Sequence, residues 1–368
     1  MKKTIILLTA LLVLLATGCS VKKQKLYLLN FGDYLSPEVR TKFEQQFDCE
    51  IVQDVFESNE EAEISLQSNN KYDLVCLSNY MVEKILKDGK YCFYIDKDKN
   101  KEYRNNILQP LNTNAILNEA FISKEDKDLL EEFMPFKSTE ANEKLIFALP
   151  YFKGSQGICY NKTELKRRDY PIPTKWNDLS NPAYVDQICM PMSVRDLFTI
   201  PEYALGFSSN ETDFQRLNQC TEWLVDQKPL VQAYCTDQLK EKMIGEDCLI
   251  APMLSGDMQY IVDNNEDEFV FLLPEGRKSS FIDCWCLCNN ATNIDLAYKF
   301  LNFIYDAEIY KQNAEYIGYE SVMADINNEE YLTWMENCID KSSIVELEKS
   351  IGTAIEFYTS GLNALMAS

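Results

Sequence analysis

The run Tyr27–Phe47, YLLNFGDYLSPEVRTKFEQQF, sets two aromatic rings and a carboxylate close together: Phe31, Asp33 and Tyr34. An aromatic face attracts a cation through its quadrupole, at ~0.5–2 kcal/mol per contact. A carboxylate adds a charge-assisted hydrogen bond. With Tyr80 from a separate loop, these residues have the chemistry of an ammonium cage. The competing reading is that aromatics at a strand end pack against the next helix and touch no ligand.

Other chemistry finds little support. The chain contains no histidine, which removes Ser-His-Asp and Cys-His mechanisms and every histidine-containing metal site. With 58 acidic residues, an Asp–Glu pair carries almost no information. There is no P-loop, GxSxG, GxGxxG or HExxH, so neither an enzyme nor a cofactor is indicated. The segment DKDKNKEY lacks the glycine and the closing acid of a calcium loop and reads as a solvated loop. None of the 13 cysteines forms a CxxC pair. Cys284, Cys286 and Cys288 alternate, as on one face of a strand, where thiols pack rather than ligate. Disulfides cannot be assigned from spacing, and so many unpatterned cysteines in an exported chain suggest a poorly oxidising habitat. The formal net charge of −22 excludes nucleic acid as a partner and favours cations.

These residues must be positioned by ordered elements, and the pattern supplies them. KLYLLNF reads as a buried strand, followed by a helix with Ser36 as N-cap, Pro37 at its first position and Val39, Phe43 and Phe47 as its apolar stripe. EIVQDVF is a second strand, and Ser58 with Glu61 forms a capping box for a second helix. YDLVCLS is a third strand, with Ser78 capping a third helix that Gly89 stops. This βαβαβα run predicts a parallel sheet with helices on its faces. Residues 91–144 read as irregular, with a helix near Ala141. Strand and helix patterns then resume from KLIFALPYFKGSQGICYN, and helix-prone segments close the chain at Tyr331–Glu336 and Ile344–Leu365. The picture is two α/β lobes, with the chain passing between them more than once.

The N-terminus, MKKTIILLTALLVLLATGCS, has two lysines, a short apolar run and small residues ending at Cys19. That order predicts a secretory signal over 1–18 of the lipoprotein type, with lipid on Cys19 and a tether over 19–25. No later run reaches the ~20 apolar residues of a membrane span. In open α/β sheets, ligands bind beyond the carboxyl ends of the strands. That rule gathers the loops Asn30–Ser36, Phe56–Asn59 and Ser78–Tyr80 into one crevice.

Taken in order, YLLNFGDYLSPEV, FESNEE, YDLVCLSNYMVEKILKDG, ALPYFKGSQGICYN, TKWNDLSNPAY, RDLF, SFIDCWCL, AYKFLNFI and IGYES resemble the spermidine/putrescine-binding lipoproteins of bacterial ABC importers. The likeness runs from about Lys25 to Leu362. It implies a two-lobed α/β fold of the type II periplasmic-binding-protein kind, each lobe a mostly parallel sheet flanked by helices, with the ligand cleft between. It implies an N-terminal lobe of 26–148 and 280–330 and a C-terminal lobe of 149–279 and 331–368. It further implies a lipid-anchored monomer on the outer face of the membrane that delivers a polyamine to a permease and catalyses nothing.

The resemblance also implies the site. Phe31 stands where the family usually has Trp, and Asp33 where it has an acid; Tyr34, Ser78 and Tyr80 look retained. In SVRDLF the family shows two acids, of which Asp196 is kept while Ser193 replaces the other. Phe281 replaces a second Trp, Asp283 keeps an acid, and Tyr319 is kept. Leu254 falls where a further Trp is usual, and Glu348 falls near a family Gln, where it could restore the charge missing at Ser193. A polyamine needs acids spaced along a groove and aromatic walls for its methylenes, which is what this set offers. Two alternatives stay open: another organic cation or an amino acid, whose carboxylate Arg195 could bind, and a surface lipoprotein scaffold or enzyme that kept the fold.

Overall fold

The computed structural model describes residues 23–68, 71–87, 107–109, 111, 147–236, 238–265, 268–323 and 344–368. The signal segment 1–18, Cys19 and the start of the tether lie outside the described residues. So do Gly89, the DKDKNKEY loop and the segments expected as helices at Ala141 and Tyr331–Glu336.

The chain opens with β1 (Gln24–Phe31), α1 (Pro37–Gln46), β2 (Cys49–Phe56), α2 (Asn59–Ser68), β3 (Leu74–Ser78) and α3 (Asn79–Lys87). Both β2 and β3 pair with β1 in parallel. Strands joined through a crossover helix must run the same way, and a strand interior to such a sheet is covered on both faces. That is why LYLLN in β1 is a nearly unbroken buried run. On one side, Val39 and Phe43 of α1 point inward. Ser36 sits at the N-cap, but its side chain makes no capping bond. The Ser36 backbone N–H donates instead to Asn313, 2.8 Å away. Ser58 does accept from the Glu61 N–H, whereas the Glu61 carboxylate accepts from Glu57 rather than from the cap itself.

The next strands are β4 (Ala148–Gly154) and β5 (Gln156–Asn161), followed by α4 (Lys162–Arg167) and two short 3-10 turns. Then come β6 (Ile188–Met190), α5 (Val194–Ala204), α6 (Phe214–Gln227), β7 (Val231–Tyr234), α7 (Leu239–Ile244), β8 (Ile250–Leu254), α8 (Ser255–Asn265) and β9 (Phe269–Leu272). The chain continues through β10 (Arg277–Leu287), α9 (Ile294–Ile304), α10 (Ala307–Ile317), β11 (Glu320–Ser321), β12 (Ile344–Leu347) and α11 (Ala354–Ala367).

Two sheets result. The first has the order β11-β4-β10-β3-β1-β2, with β12 also paired to β10; the second has the order β7-β6-β8-β5-β9. Both are mixed rather than mostly parallel. The parallel pairing expected for the opening βαβαβ run holds, but β10 and β4 enter the first sheet antiparallel. β10 arrives directly from the other sheet and β4 passes directly into it at Ser155, with no helix at either passage to impose direction. The chain passes between sheets at Ser155, at 273–276 and at 348–353. Residues 344–347, expected as helix and assigned to the lobe of the second sheet, form β12 and pair in parallel with Arg277–Ser280 of the first.

The first sheet is packed on both faces. Cys284, Cys286 and Cys288 join Ile85, Leu77 and Val75 on one side. Trp285 and Leu287 join Phe300 and Phe43 on the other. The alternation read from CWCLC therefore holds, and burial pushes these thiols above their ordinary pKa. The ten cysteines among the described residues are all free. Asp73, fully buried, ties the framework: its carboxylate accepts from the N–H groups of Tyr27, Thr292 and Asn293. It thus fixes β1 to the start of α9, which carries Phe300 to Phe43.

Candidate functional site

The carboxyl ends of β1, β2 and β3 face the second sheet across a cleft of about 370 Å³. The loops read as one crevice do meet there: Phe31, Asp33 and Tyr34 beyond β1, Glu57 and Ser58 beyond β2, and Ser78 and Tyr80 at β3 and α3. Phe281 and Asp283 of β10 and Tyr319, just past α10, complete that wall. The facing wall is built by Ser193 and Asp196 at the start of α5, Leu254 at the end of β8, Lys240 on α7, and Gly256, Asp257 and Tyr260 on α8. Glu348 joins from the last crossing. The structure thus brings all eleven predicted ligand residues to one cavity from six separate stretches of chain.

Asp283 sits at its centre and is 3% exposed. The register of β10 against β4 shifts between Asp283 and Cys284, and this irregularity lies at the acid itself. Tyr34 and Ser78 donate their hydroxyls to its two oxygens at 2.5 and 2.6 Å. Ser78 is thus committed to Asp283 and does not cap α3. Ser78 is itself fixed by Asn59, which donates its amide to the hydroxyl and accepts the Ser78 N–H, both at 2.9 Å. Asn79 bridges Ile282 of β10 to the Glu348 carbonyl. Burial raises the Asp283 carboxyl to about 6, against the pull of the two hydroxyl donors.

The packing and ligand readings of the aromatic cluster are both realised. Tyr34 makes edge contacts with Phe31, Tyr151, Phe152 and Tyr319 at 5.3–6.0 Å between centroids, and Phe281 meets Tyr319 at 6.0 Å. Of these rings, Phe31, Tyr34, Phe281 and Tyr319 also wall the cleft. Tyr319 lies where the two lobes touch. A Cβ built on Gly256 would come within 2.0 Å of its ring. Gly256→Ala is therefore expected to push Tyr319 out of the wall and weaken ligand binding roughly tenfold, while each lobe keeps its fold. Titration calorimetry alongside a melting curve checks this; unchanged affinity would show that the ring is not part of the closed cleft.

On the facing wall, burial raises the half-buried Asp196 to about 6, partly offset by a hydrogen bond from Ser193. Arg195 is 1% exposed and turns away from the cavity. It lies over the Tyr80 ring, 5.1 Å from its centroid, donates to Asn210, and approaches Glu348 at 3.9 Å. That last separation is too long for a hydrogen bond. Burial raises Glu348 to about 8 in spite of Arg195. At neutral pH this position therefore adds no free negative charge to replace the acid absent at Ser193. One face of Tyr80 is already taken by a cation of the protein. Asp33 projects at the mouth in a left-handed turn, φ 45°, and pairs with Lys240 at 3.3 Å.

Sequence reasoning did not name Asn59, Asn79, Gly256 or Lys240 as site residues. Asn59 and Asn79 adjoin residues that were chosen, so position in the crevice loops was a usable signal for them. Nothing local marks Lys240, which reaches Asp33 across 207 residues.

Comparisons with known proteins bear on the whole chain. The family profile for bacterial extracellular solute-binding proteins matches residues 99–337, and that for a hypothetical lipoprotein (MG045 family) matches residues 1–178. The spermidine/putrescine-binding periplasmic protein of Salmonella typhimurium is 25% identical over 296 residues, covering 80% of this chain and 76% of its own. The putrescine/cadaverine-binding protein of Pseudomonas aeruginosa is 26% identical over 329 residues, covering 86% and 84%. Among solved structures, a candidate spermidine/putrescine ABC transporter protein from Listeria monocytogenes superposes with a TM-score of 0.75 at 25% identity, over 94% of this chain and 99% of that one. The fold is that of the type II binding proteins, as the sequence led us to expect.

Proposed function

Since the chain belongs to the bacterial extracellular solute-binding protein family, which comprises carriers and not enzymes, we propose that its solute is a polyamine held between the lobes. The observation that carries this reading is Asp283. It is a buried carboxylate whose hydrogen-bond donors among the described residues are two neutral hydroxyls, in a cavity walled by aromatic rings. Burying a carboxylate without a cation is costly, and an ammonium from the ligand removes that cost. Asp196 offers a second such group on the opposite wall, so a ligand with two ammonium groups would draw the lobes together. The methylenes between them would lie against Tyr34, Phe281 and Tyr319. The two polyamine-binding relatives described above support the same ligand class. The amino-acid alternative loses its main residue, because Arg195 is occupied by Tyr80, Asn210 and Glu348 behind the wall.

In this reading the lobes hinge at Ser155, 273–276 and 348–353, and the protein works as a monomer. It is held at the outer face of the membrane by lipid on Cys19 and hands its ligand to an ABC permease. The lipoprotein-family match over residues 1–178 supports the anchor. A thermal-shift panel of putrescine, cadaverine, spermidine and spermine tests the ligand class. Ligand at a hundred times its dissociation constant is expected to stabilise the protein by ~2.7 kcal/mol. No shift with any of the four, on folded protein, would remove the polyamine reading.

A further inference from the structure

Lys240 holds its ammonium where a ligand's ammonium would be expected. It projects from α7 of the second lobe to the cleft mouth and lies between Asp33 of the first lobe, at 3.3 Å, and Asp257 of its own lobe, at 3.1 Å. Its Nζ lies 5.6 Å from the centroid of the Tyr260 ring. Tyr316 approaches Asp33 from α10 with its hydroxyl at 3.5 Å. The side chain is 18% exposed although the mouth is open to solvent. Burial works against its charge, but Asp257 and Asp33 hold the ammonium above its ordinary range. Two carboxylates and a ring around one ammonium make a cation cage of the kind a ligand would need, filled here by the protein's own side chain.

The remaining acids of the cleft can then be sorted. Glu348 lies beside Arg195 and keeps its proton at neutral pH. Glu57 and Glu241 are exposed rim residues that water already solvates. Asp196 and Asp283 are the two inner carboxylates for which no ion pair with Lys or Arg is found among the described residues.

We infer that Lys240 is a specificity-determining residue: its tethered ammonium fills the Asp33 position, so that the cleft selects a diamine over a triamine. This rests on the polyamine reading above. A diamine places one ammonium on each of Asp196 and Asp283. A triamine brings a third ammonium, which could pair with Asp33 only by displacing a cation tethered at high effective concentration.

The test is calorimetric titration of putrescine and spermidine into the wild-type protein, Lys240→Met and Lys240→Arg, each checked for folding by circular dichroism. Methionine keeps the aliphatic length and removes the charge; arginine keeps the charge. The wild-type protein is expected to prefer putrescine. In Lys240→Met the ratio of spermidine to putrescine affinity should rise about tenfold or more, and in Lys240→Arg it should stay near wild type. A ratio unchanged in Lys240→Met, or raised equally in Lys240→Arg, would overturn the inference while leaving polyamine binding intact. Absence of binding to all three proteins would overturn the polyamine reading and this inference with it.

Discussion

Asp283→Asn is expected to lower polyamine affinity by ~2–5 kcal/mol, roughly thirtyfold to several thousandfold, with the fold intact. The substitution keeps size and shape and removes one charge. Ser78 can go on donating, to the new amide's oxygen, while its own oxygen accepts from Asn59. Tyr34 is freer, since a phenolic hydroxyl can turn and accept from the new amide. The hydrogen-bonded frame therefore survives the change, and what is lost is the negative charge that meets the ligand. The ligand-free variant should melt no lower than wild type at neutral pH, and higher if relief of the buried charge outweighs a weaker Tyr34 contact. Calorimetry and thermal melts on the same samples separate the two effects. Retention of full affinity would mean that Asp283 is a structural acid and that the ligand is held elsewhere in the cleft.

The second large effect is the pH dependence of binding, and its sign differs from that of stability. Asp196 and Asp283 both titrate near 6 in the ligand-free protein, chiefly because burial disfavours their charge. The nearby Asp283 charge adds to the rise at Asp196. An ammonium bound to each carboxylate favours the ionised form and lowers its pKa. Protons taken up by the free protein must then leave on binding, so affinity should be flat above about pH 7 and fall below 6. The slope should approach a hundredfold per pH unit once both acids are protonated. Stability of the ligand-free protein runs the other way for these groups. A carboxyl raised from 3.8 to about 6 by folding contributes most stability below 3.8 and loses it as pH rises through 6. Other carboxylates oppose that trend, Glu164 among them, being held near 2 by Arg167 and Arg168. The difference in melting temperature between Asp283→Asn and wild type isolates the Asp283 share: any gain at pH 7 should shrink toward pH 4. An affinity that does not change between pH 7 and 5 would show that neither acid carries the ligand's charge.

The acid-centred site explains the role of the surrounding chemistry. A cage that must accept a cation in a chain of net charge −22 has no shortage of carboxylates. Its specificity depends on which of them are already satisfied. Lys240 removes one acid from the ligand's reach by pairing with Asp33, and burial removes another by keeping Glu348 protonated in spite of Arg195. In the polyamine reading, the Phe31 and Phe281 rings offer a weaker cation–π contribution than Trp would, which shifts more of the binding onto Asp196 and Asp283.

Much of this was open to reading along the chain. The period of Val39 and Phe43, the unbroken run of β1 and the alternation of CWCLC are local properties, because secondary structure dictates which neighbours in sequence share a face. The crevice followed from the rule that parallel strands gather their carboxyl ends, and the ordered resemblance supplied eleven side chains that the structure brings into one cavity. What local pattern could not carry was the pairing of groups far apart in sequence. Ser36 and Ser78 read as helix caps, yet Ser36 makes no capping bond and the Ser78 hydroxyl belongs to Asp283 on a strand 205 residues away. Residues 344–347 read as helix, but pairing with β10 made them a strand. Most of all, the number of acids in the cleft was legible in the sequence, whereas the number left for a ligand was not. Burial and the approach of a cation set whether a carboxylate is charged and free, and both arise only when distant segments meet in the folded protein.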